Sequence, residues 1–280
     1  MTDKEKKFKY HQENVLALGE GLDFVMDNIK SGIIQEHLAK STDERKKAKR
    51  YVLIQSRILS GLTVSWSEEI IKRLFYEPNA FLEIQIQKLH DLNLQQKWEF
   101  ALKVAFCNAY NVSNPNNQPL CNGIDIENQT TISRTARDRF RHIMNLINDE
   151  LLPAINIRNK VQHGEWIKAF SPPNSLSFSP NLTREINKES IIDLQTKINQ
   201  FQAIYQLIHD IAAGRNTSTF ERDFDRNYKR IESNRNLLRI RTVEKYKQDV
   251  VGRYERGINW KRQNQTPLNC LSRMINQILQ

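Results

Sequence analysis

Residues 41–76 read STDERKKAKRYVLIQSRILSGLTVSWSEEIIKRLFY and predict one long helix. Their apolar side chains recur every three or four positions, which places them on one face of a helix. The stretch opens on Ser41, Thr42 and Asp43, residue types that cap helix N-termini. Pro78 ends it, because proline has no backbone N–H and clashes with the preceding turn. The apolar positions are Val52, Ile54, Leu59, Leu62, Trp66, Ile70 and Leu74.

The same helical period continues on both sides of this stretch, and the sequence has no convincing alternation of apolar and polar residues typical of a strand. Segments rich in Pro, Ser and Asn predict loops at 112–131 and 169–187. Pro153 predicts a kink or restart in its helix. The other predicted helices are 10–40 (one or two helices), 79–90, 93–111, 133–163 and 188–213. We therefore expect an all-α fold, a helical bundle.

The composition excludes several classes of protein. Nine Gly and eight Pro in 280 residues are too few for a glycine-rich phosphate loop, a collagen or a turn-dense β-sandwich. The three cysteines, Cys107, Cys121 and Cys270, are widely spaced, which argues against a disulfide framework or a Cys-based zinc site. The histidines also lack metal-ligand spacing. We therefore expect neither a metal nor a cofactor.

The sequence also predicts a cellular location. The N-terminal residues are basic but lack the apolar core and small-residue cleavage site of a secretion signal. No run approaches the roughly 18 apolar residues that span a bilayer. We therefore expect a cytoplasmic protein with reduced thiols and no membrane partner.

Charge and composition divide the chain into three segments: an N-terminal helical segment at 1–44, a helical bundle at 45–214, and a basic helical C-terminal extension at 215–280. Residues 215–262 hold 14 Lys and Arg against 7 Asp and Glu, so they carry +7 of the net charge of +10. Aromatic residues recur there at helical spacing. The stretch is either a groove that binds RNA phosphate and stacks bases, with Arg235, Arg239 and Arg241 as contacts, or an amphipathic helix packed on the bundle.

One motif has residue types suited to catalysis. It is the sequence RNKVQHG at residues 158–164. Chance accounts for one or two Arg-x(4–6)-His matches in a chain of this composition, and the second match is Arg137 with His142. Context separates the two, because the first lies at a predicted helix end where Gly164 permits a turn. A five-residue step on a regular helix rotates by about 140°, so Arg158 and His163 diverge unless the helix end relaxes.

With Arg158, Asn159, His163 and Gly164 between two amphipathic helices, residues 45–213 resemble the HEPN superfamily. That resemblance implies a helical bundle with a metal-independent RNase site, made composite by two motifs across a homodimer interface. It also implies that Arg158 binds phosphate, that His163 transfers protons, and that Asn159 orients His163 or contacts phosphate. Lys160 adds positive potential or is only solvated, and Trp166 stacks a base or packs in the core.

The resemblance implies an endoribonuclease in which a 2′-hydroxyl attacks the adjacent phosphate, acting as a toxin or antiviral defence effector and restrained by an inhibitory partner or antitoxin. Histidine suits the proton transfers because its ordinary pKa lies near 6.5. Two alternatives stay open. One is a noncatalytic HEPN-like module that binds RNA or a protein, and the other is a helical scaffold with a chance motif.

Overall fold

A computed structural model describes residues 1–112, 121, 124–170, 177–214 and 217–278, with the side chains of 238, 239 and 261–278 left undescribed. Across those residues the chain is helical, and the only β-type pairing is an isolated bridge between Phe170 and Phe178. The all-α prediction is confirmed. The described helices are α1 (Asp3–Leu38), α2 (Thr42–Tyr76), α3 (Glu83–Gln87), α4 (Leu94–Ala109), α5 (Arg134–Leu146), α6 (Leu152–Gln162), α7 (Pro180–Lys188), α8 (Ile191–Ala212), α9 (Thr217–Ile240) and α10 (Val243–Ile278).

Helices α1 and α2 form an antiparallel hairpin whose start and end follow the predicted signals. Ser41 caps α2 by accepting a hydrogen bond from the N–H of Glu44, and the Glu44 side chain accepts from the N–H of Ser41. This reciprocal pair satisfies two donors that a helix start leaves free. The helix ends at Tyr76, two residues before Pro78, as predicted.

The predicted break at Pro153 is present and has a specific form. Helix α5 passes into a turn of π-helix at Ile147–Leu151, and α6 then begins with Pro153 in its first turn. Proline has no N–H with which to continue the helical hydrogen-bond pattern, and the π-helical turn lies directly before it.

One predicted loop was wrong in part. Residues 169–187 include α7, which begins at Pro180 with Ser179 accepting a hydrogen bond from the N–H of Leu182. A Ser followed by Pro is a helix-start signal, which the surrounding Pro and Ser residues concealed. The remainder of that loop that the structure describes is irregular apart from the bridge to Phe178.

One hydrophobic core contains side chains from all three segments proposed from the sequence. Val15 and Ile29 of α1, Phe106 of α4, and Phe220 and Val250 of the basic extension are members of the same buried cluster. The segment boundaries therefore do not coincide with gaps in the core. In the described part of the chain, the helices lack a stretch long and apolar enough to cross a membrane.

Candidate functional site

The RNKVQHG motif occupies the C-terminal end of α6 and the turn that follows. The N–H of His163 donates to the carbonyl oxygen of Asn159, with 3.1 Å between nitrogen and oxygen. Gly164 has a φ of +81°, in the left-handed region that favours glycine. The N–H of Glu165 then donates to the carbonyl oxygen of Lys160 at 3.0 Å, which closes the turn as in a glycine C-cap. The predicted helix end at Gly164 is confirmed.

The guanidinium of Arg158 is held against the bundle, with 18% of the side chain exposed. Its Nη1 donates to Asn159 Oδ1 at 3.2 Å and to Gln162 Oε1 at 2.9 Å. Its Nη2 lies 3.4 Å from Oε2 of Glu68 in α2. Its Nε is buried and has no hydrogen-bond partner in the described part of the chain. Two of the predicted catalytic residues, Arg158 and Asn159, are therefore in direct contact.

His163 lies apart from Arg158. Its imidazole is exposed and forms no hydrogen bond or ion pair with the residues that the structure describes. The separation follows from the helix, because positions five apart point about 140° away from each other and α6 stays regular up to Gln162. One chain thus presents an anchored arginine and a free imidazole on different sides of the same helix end.

Glu68 connects Arg158 to two further cations. Its Oε1 lies 3.0 Å from Nζ of Lys72 and 3.4 Å from Nζ of Lys97. Burial alone would raise the pKa of the Glu68 carboxyl, but the hydrogen bonds and charges of Lys72 and Lys97 lower it below its ordinary value. Glu68 therefore stays ionised at neutral pH and shares its charge among three cations.

A second carboxylate extends this network to α1. Glu69 accepts hydrogen bonds from His11 at 2.8 Å, from Lys72 at 3.0 Å and from Asn14 at 3.3 Å. The hydrogen bond from His11 is the largest influence on the Glu69 carboxyl, and with Lys72 and Asn14 it outweighs burial and lowers the pKa to about 2. The network fixes α1, α2, α4 and α6 relative to one another around Arg158.

Lys160 and Trp166 both form contacts that stabilise the motif turn. Lys160 Nζ donates to the carbonyl oxygen of Phe170 at 2.5 Å and lies 3.4 Å from Oε1 of Glu165. Trp166 is half-buried, packs on a small cluster that includes Val161, and donates from Nε1 to the Val161 carbonyl oxygen at 2.7 Å. These contacts match the packing alternative for Trp166, and they occupy the ammonium of Lys160.

Sequence reasoning missed Arg57 of α2, which supports the motif turn. Its side chain is fully buried, and Nε donates to the carbonyl oxygen of Trp166 at 3.1 Å while Nη2 donates to Asn187 Oδ1 at 3.0 Å. Burial lowers the pKa of this guanidinium, although nearby Glu189 opposes the shift. The sequence did contain one indication that Arg57 is buried. Its helical spacing places it on the same face as Ser60 and the buried apolar residues of α2.

Two of the three predicted RNA contacts of the basic extension, Arg235 and Arg241, have partners within the chain. Arg235 in α9 forms hydrogen bonds to Glu150 of the π-helical turn, with its Nε 2.8 Å from Glu150 Oε1. The guanidinium of Arg241 stacks on the ring of Tyr246, with 5.0 Å to the ring centroid. The side chain of Arg239 lies outside the described residues.

The other Arg-x(4)-His match has the ordinary environment expected of it. Arg137 Nη1 donates to the carbonyl oxygen of Glu127 at 3.2 Å, and His142 stacks on Tyr228 with 5.6 Å between ring centroids. Both residues lie inside α5, where the helix continues past them. They provide a matched control for the motif at 158–163.

Among the residues that the structure describes, no group of three or more His, Cys, Asp or Glu side chains could hold a metal ion. A shallow groove of about 630 Å³ adjoins the motif turn. The groove is lined by Arg57, Ile58, Gly61, Val161, Gln162, Gly164 and Trp166. No protein-family model, curated protein or solved structure matches this chain.

Proposed function

We propose that this chain is a metal-independent endoribonuclease in which a ribose 2′-hydroxyl attacks the adjacent phosphate at the RNKVQHG motif. The observation that carries the proposal is the exposed imidazole of His163, which has no partner among the described residues and directly follows the helix that holds Arg158. A histidine kept in that state is available to a ligand. The resemblance of the motif to the HEPN superfamily supplies the reaction class.

Arg158 and His163 have different roles in the proposed reaction: Arg158 stabilises charge and His163 transfers protons. Arg158 binds the phosphate oxygens and stabilises the charge that develops on them. His163 removes the proton of the 2′-hydroxyl or protonates the leaving 5′-oxygen, which an imidazole does efficiently near neutral pH. Asn159 holds Nη1 of Arg158 and so fixes the orientation of the guanidinium.

The divergence of Arg158 and His163 supports a composite site in a homodimer. Cleavage needs one group that accepts a proton and another that donates one, and a chain supplies a single motif histidine. Two copies with their α6 ends apposed bring together two imidazoles and two arginines. A toxin or antiviral effector of this kind is held inactive by an inhibitory partner or antitoxin, and it acts on RNA in the cytoplasm.

One observation favours a second candidate, a noncatalytic HEPN-like module that binds RNA or a protein. Arg158 is paired inside its own chain with Glu68, and its guanidinium does not contact His163. A binding module would retain the same helical fold and the same basic surface without needing the two groups to meet.

Site variants distinguish the two candidates. We expect Arg158→Ala and His163→Ala each to abolish RNA cleavage, because one removes the phosphate ligand and the other a proton carrier. Arg137→Ala and His142→Ala are the matched controls and should cleave normally. Circular dichroism checks that all four variants keep their helical content. A wild type that binds RNA without cleaving it would favour the binding module, whereas cleavage by both site variants at the wild-type rate would show that this motif is not the cleavage site.

The product ends test the mechanism. Attack by the 2′-hydroxyl leaves a 2′,3′-cyclic phosphate, or its opened monophosphate, and a 5′-hydroxyl, which mass spectrometry identifies. A substrate with a single 2′-deoxy sugar at the cut site should resist cleavage. EDTA should not inhibit the cleavage of unmodified RNA. A 5′-phosphate with a 3′-hydroxyl would mean that water attacked, and the proposed mechanism would be wrong.

The basic extension is tested by RNA affinity. Replacing Arg235, Arg239 and Arg241 together should weaken RNA binding, and wild-type binding should fall steeply with added salt because phosphate contacts release counterions. Fluorescence anisotropy with His163→Ala as the parent measures affinity without cleavage. Unchanged affinity in the triple variant would assign the extension a packing role only.

A further inference from the structure

The first turns of α2 carry a dense group of exposed cations. Residues 45–50 read RKKAKR, and the five Lys and Arg side chains among them are all exposed. Lys47 and Arg50 form no hydrogen bond or ion pair with the residues that the structure describes. Arg235 and Arg241 of the basic extension, in contrast, are engaged with other side chains of the chain. The start of α2 therefore has cations that are available to an anionic ligand.

One face of α2 leads from these cations to the groove beside the motif turn. At 100° per residue, five positions fall within about 80° of one another: Lys47, Arg50, Ile54, Ile58 and Gly61. Ile54 and Ile58 are half-buried, and Ile58 and Gly61 line the groove. A rise of 1.5 Å per residue places Gly61 about 16 Å along the helix from Arg50. The face thus joins free cations, an apolar strip and the motif turn.

The surroundings of the groove also favour an anion. Arg57 is the one charged residue among its described lining residues, and its Nη1 has no hydrogen-bond partner in the described part of the chain. Lys188 directly follows Asn187, which accepts a hydrogen bond from Arg57. Lys168 directly follows Ile167, whose carbonyl oxygen accepts a hydrogen bond from Asn187. Both lysines are exposed and have no partner among the described residues, so the groove has positive charge at its base and beside it.

We propose that this face of α2 and the groove form a track, the α2 track, which binds single-stranded RNA and leads it to the motif. Lys47 and Arg50 bind phosphates, while the apolar strip and the half-buried Trp166 contact bases. A single strand offers phosphates and base faces together, whereas a duplex keeps its base faces stacked inside. The identity of the ligand rests on the proposed function, because the track ends at the motif assigned to RNA cleavage.

Two double variants separate the α2 track from the charge of the protein as a whole. Lys47→Gln with Arg50→Gln removes two charges from the track, and Arg45→Gln with Lys49→Gln removes two charges about 150° around the same helix. Fluorescence anisotropy of a labelled single-stranded RNA, with His163→Ala as the parent, measures affinity without cleavage. Each phosphate contact contributes about 0.7 to the slope of log affinity against log salt, so the track variant should lose about 1.4 from that slope and about 25-fold in affinity at 0.1 M salt. The control variant should keep the parental slope.

Gly61 tests whether RNA enters the groove. A β-carbon at Gly61 meets no atom within 4 Å, so a side chain can be introduced there without a clash at that carbon. Gly61→Glu brings a carboxylate to the groove and should cost about fivefold in affinity, the equivalent of one phosphate contact at 0.1 M salt, whereas Gly61→Ala should bind like the parent. The proposal is overturned if the two double variants lose equal affinity, if Gly61→Glu binds as tightly as Gly61→Ala, or if duplex RNA or phosphatidylserine vesicles compete better than unlabelled single-stranded RNA.

Cleavage kinetics keep this test apart from the test of the reaction. In the wild-type background, Lys47→Gln with Arg50→Gln should raise KM and leave kcat close to the wild-type value, whereas His163→Ala should abolish cleavage. A wild type that cleaves no RNA contradicts the proposed function, and the affinity comparison still decides whether RNA binds the α2 track. Unchanged KM and unchanged affinity in the track variant would overturn the α2 track and leave the proposed reaction standing.

Discussion

Gly32 of α1 is buried and packs closely against α2, and replacing it with alanine tests the packing of that hairpin. A β-carbon added at Gly32 would lie 2.7 Å from Cγ2 of Val52 and 2.9 Å from Cδ1 of Tyr51. Ordinary carbon contacts are about 3.5–4.0 Å, so both neighbours would have to move. Such overpacking costs about 1–3 kcal/mol, while alanine gains about 1 kcal/mol of helix propensity over glycine. We expect Gly32→Ala to lower the free energy of unfolding by up to about 2 kcal/mol.

Gly19 supplies the control, because it lies in the same helix and a β-carbon there meets no atom within 4 Å. Gly19→Ala should gain the same propensity without the clash and raise the free energy of unfolding by about 1 kcal/mol. The difference between the two variants then isolates the packing cost. Equilibrium denaturation in urea measures both midpoints. Equal upward shifts in the two variants would refute the close helix contact.

Three further changes test other parts of the structure. Two carboxylates raise the pKa of His209 to about 9: Asp210, with Oδ1 3.8 Å from Nδ1, and Glu77, which is hydrogen-bonded to Nε2 at 3.1 Å. The contribution of His209 to the free energy of unfolding, at most about 3 kcal/mol, should be complete below pH 6.5 and lost as the pH rises through 9. His209→Gln should flatten the unfolding free energy across that range, and an unchanged pH profile would contradict the assignment. Arg57→Lys should destabilise the protein by about 1–3 kcal/mol, because an ammonium cannot reproduce the forked bonds to the Trp166 carbonyl oxygen and to Asn187 of α7, and denaturation midpoints check this. Phe220→Ala should cost about 3–5 kcal/mol if the basic extension belongs to the core, whereas a shift below 1 kcal/mol would indicate an independent segment.

Local signals predicted most of the helices correctly, because the physics that starts and stops a helix acts within a few residues. Ser41 and Pro78 bound α2 in the sequence as they do in the structure. The exception, α7, also has a local signal at Ser179 and Pro180, but a Pro-rich setting made a loop the simpler interpretation. For α7, the local signal of a capping residue followed by proline indicated the helix better than the overall composition of the segment did.

Contacts between distant residues were not predictable in the same way. The pairing of Arg235 with Glu150 depends on how separate elements pack. Spacing in the sequence contains no information about such contacts, and charge counting cannot distinguish an arginine paired within the chain from one available to RNA. Arg57 is a similar case, since a charged residue on an apolar face is recognised only when its partners are known.

The network around Glu68 bears on whether Arg158 can bind phosphate at all. A dedicated ion pair would have to break first, and leaving a half-buried carboxylate unpaired is costly. Here Lys72 and Lys97 also contact Glu68, so the carboxylate keeps two cations when Arg158 turns to a ligand. The bond from Arg158 to Glu68, at 3.4 Å, is longer than its bond to Gln162, at 2.9 Å. Its own helix therefore holds the guanidinium in place, while its second amino group has the longer contact and is the one available for the proposed bond to phosphate.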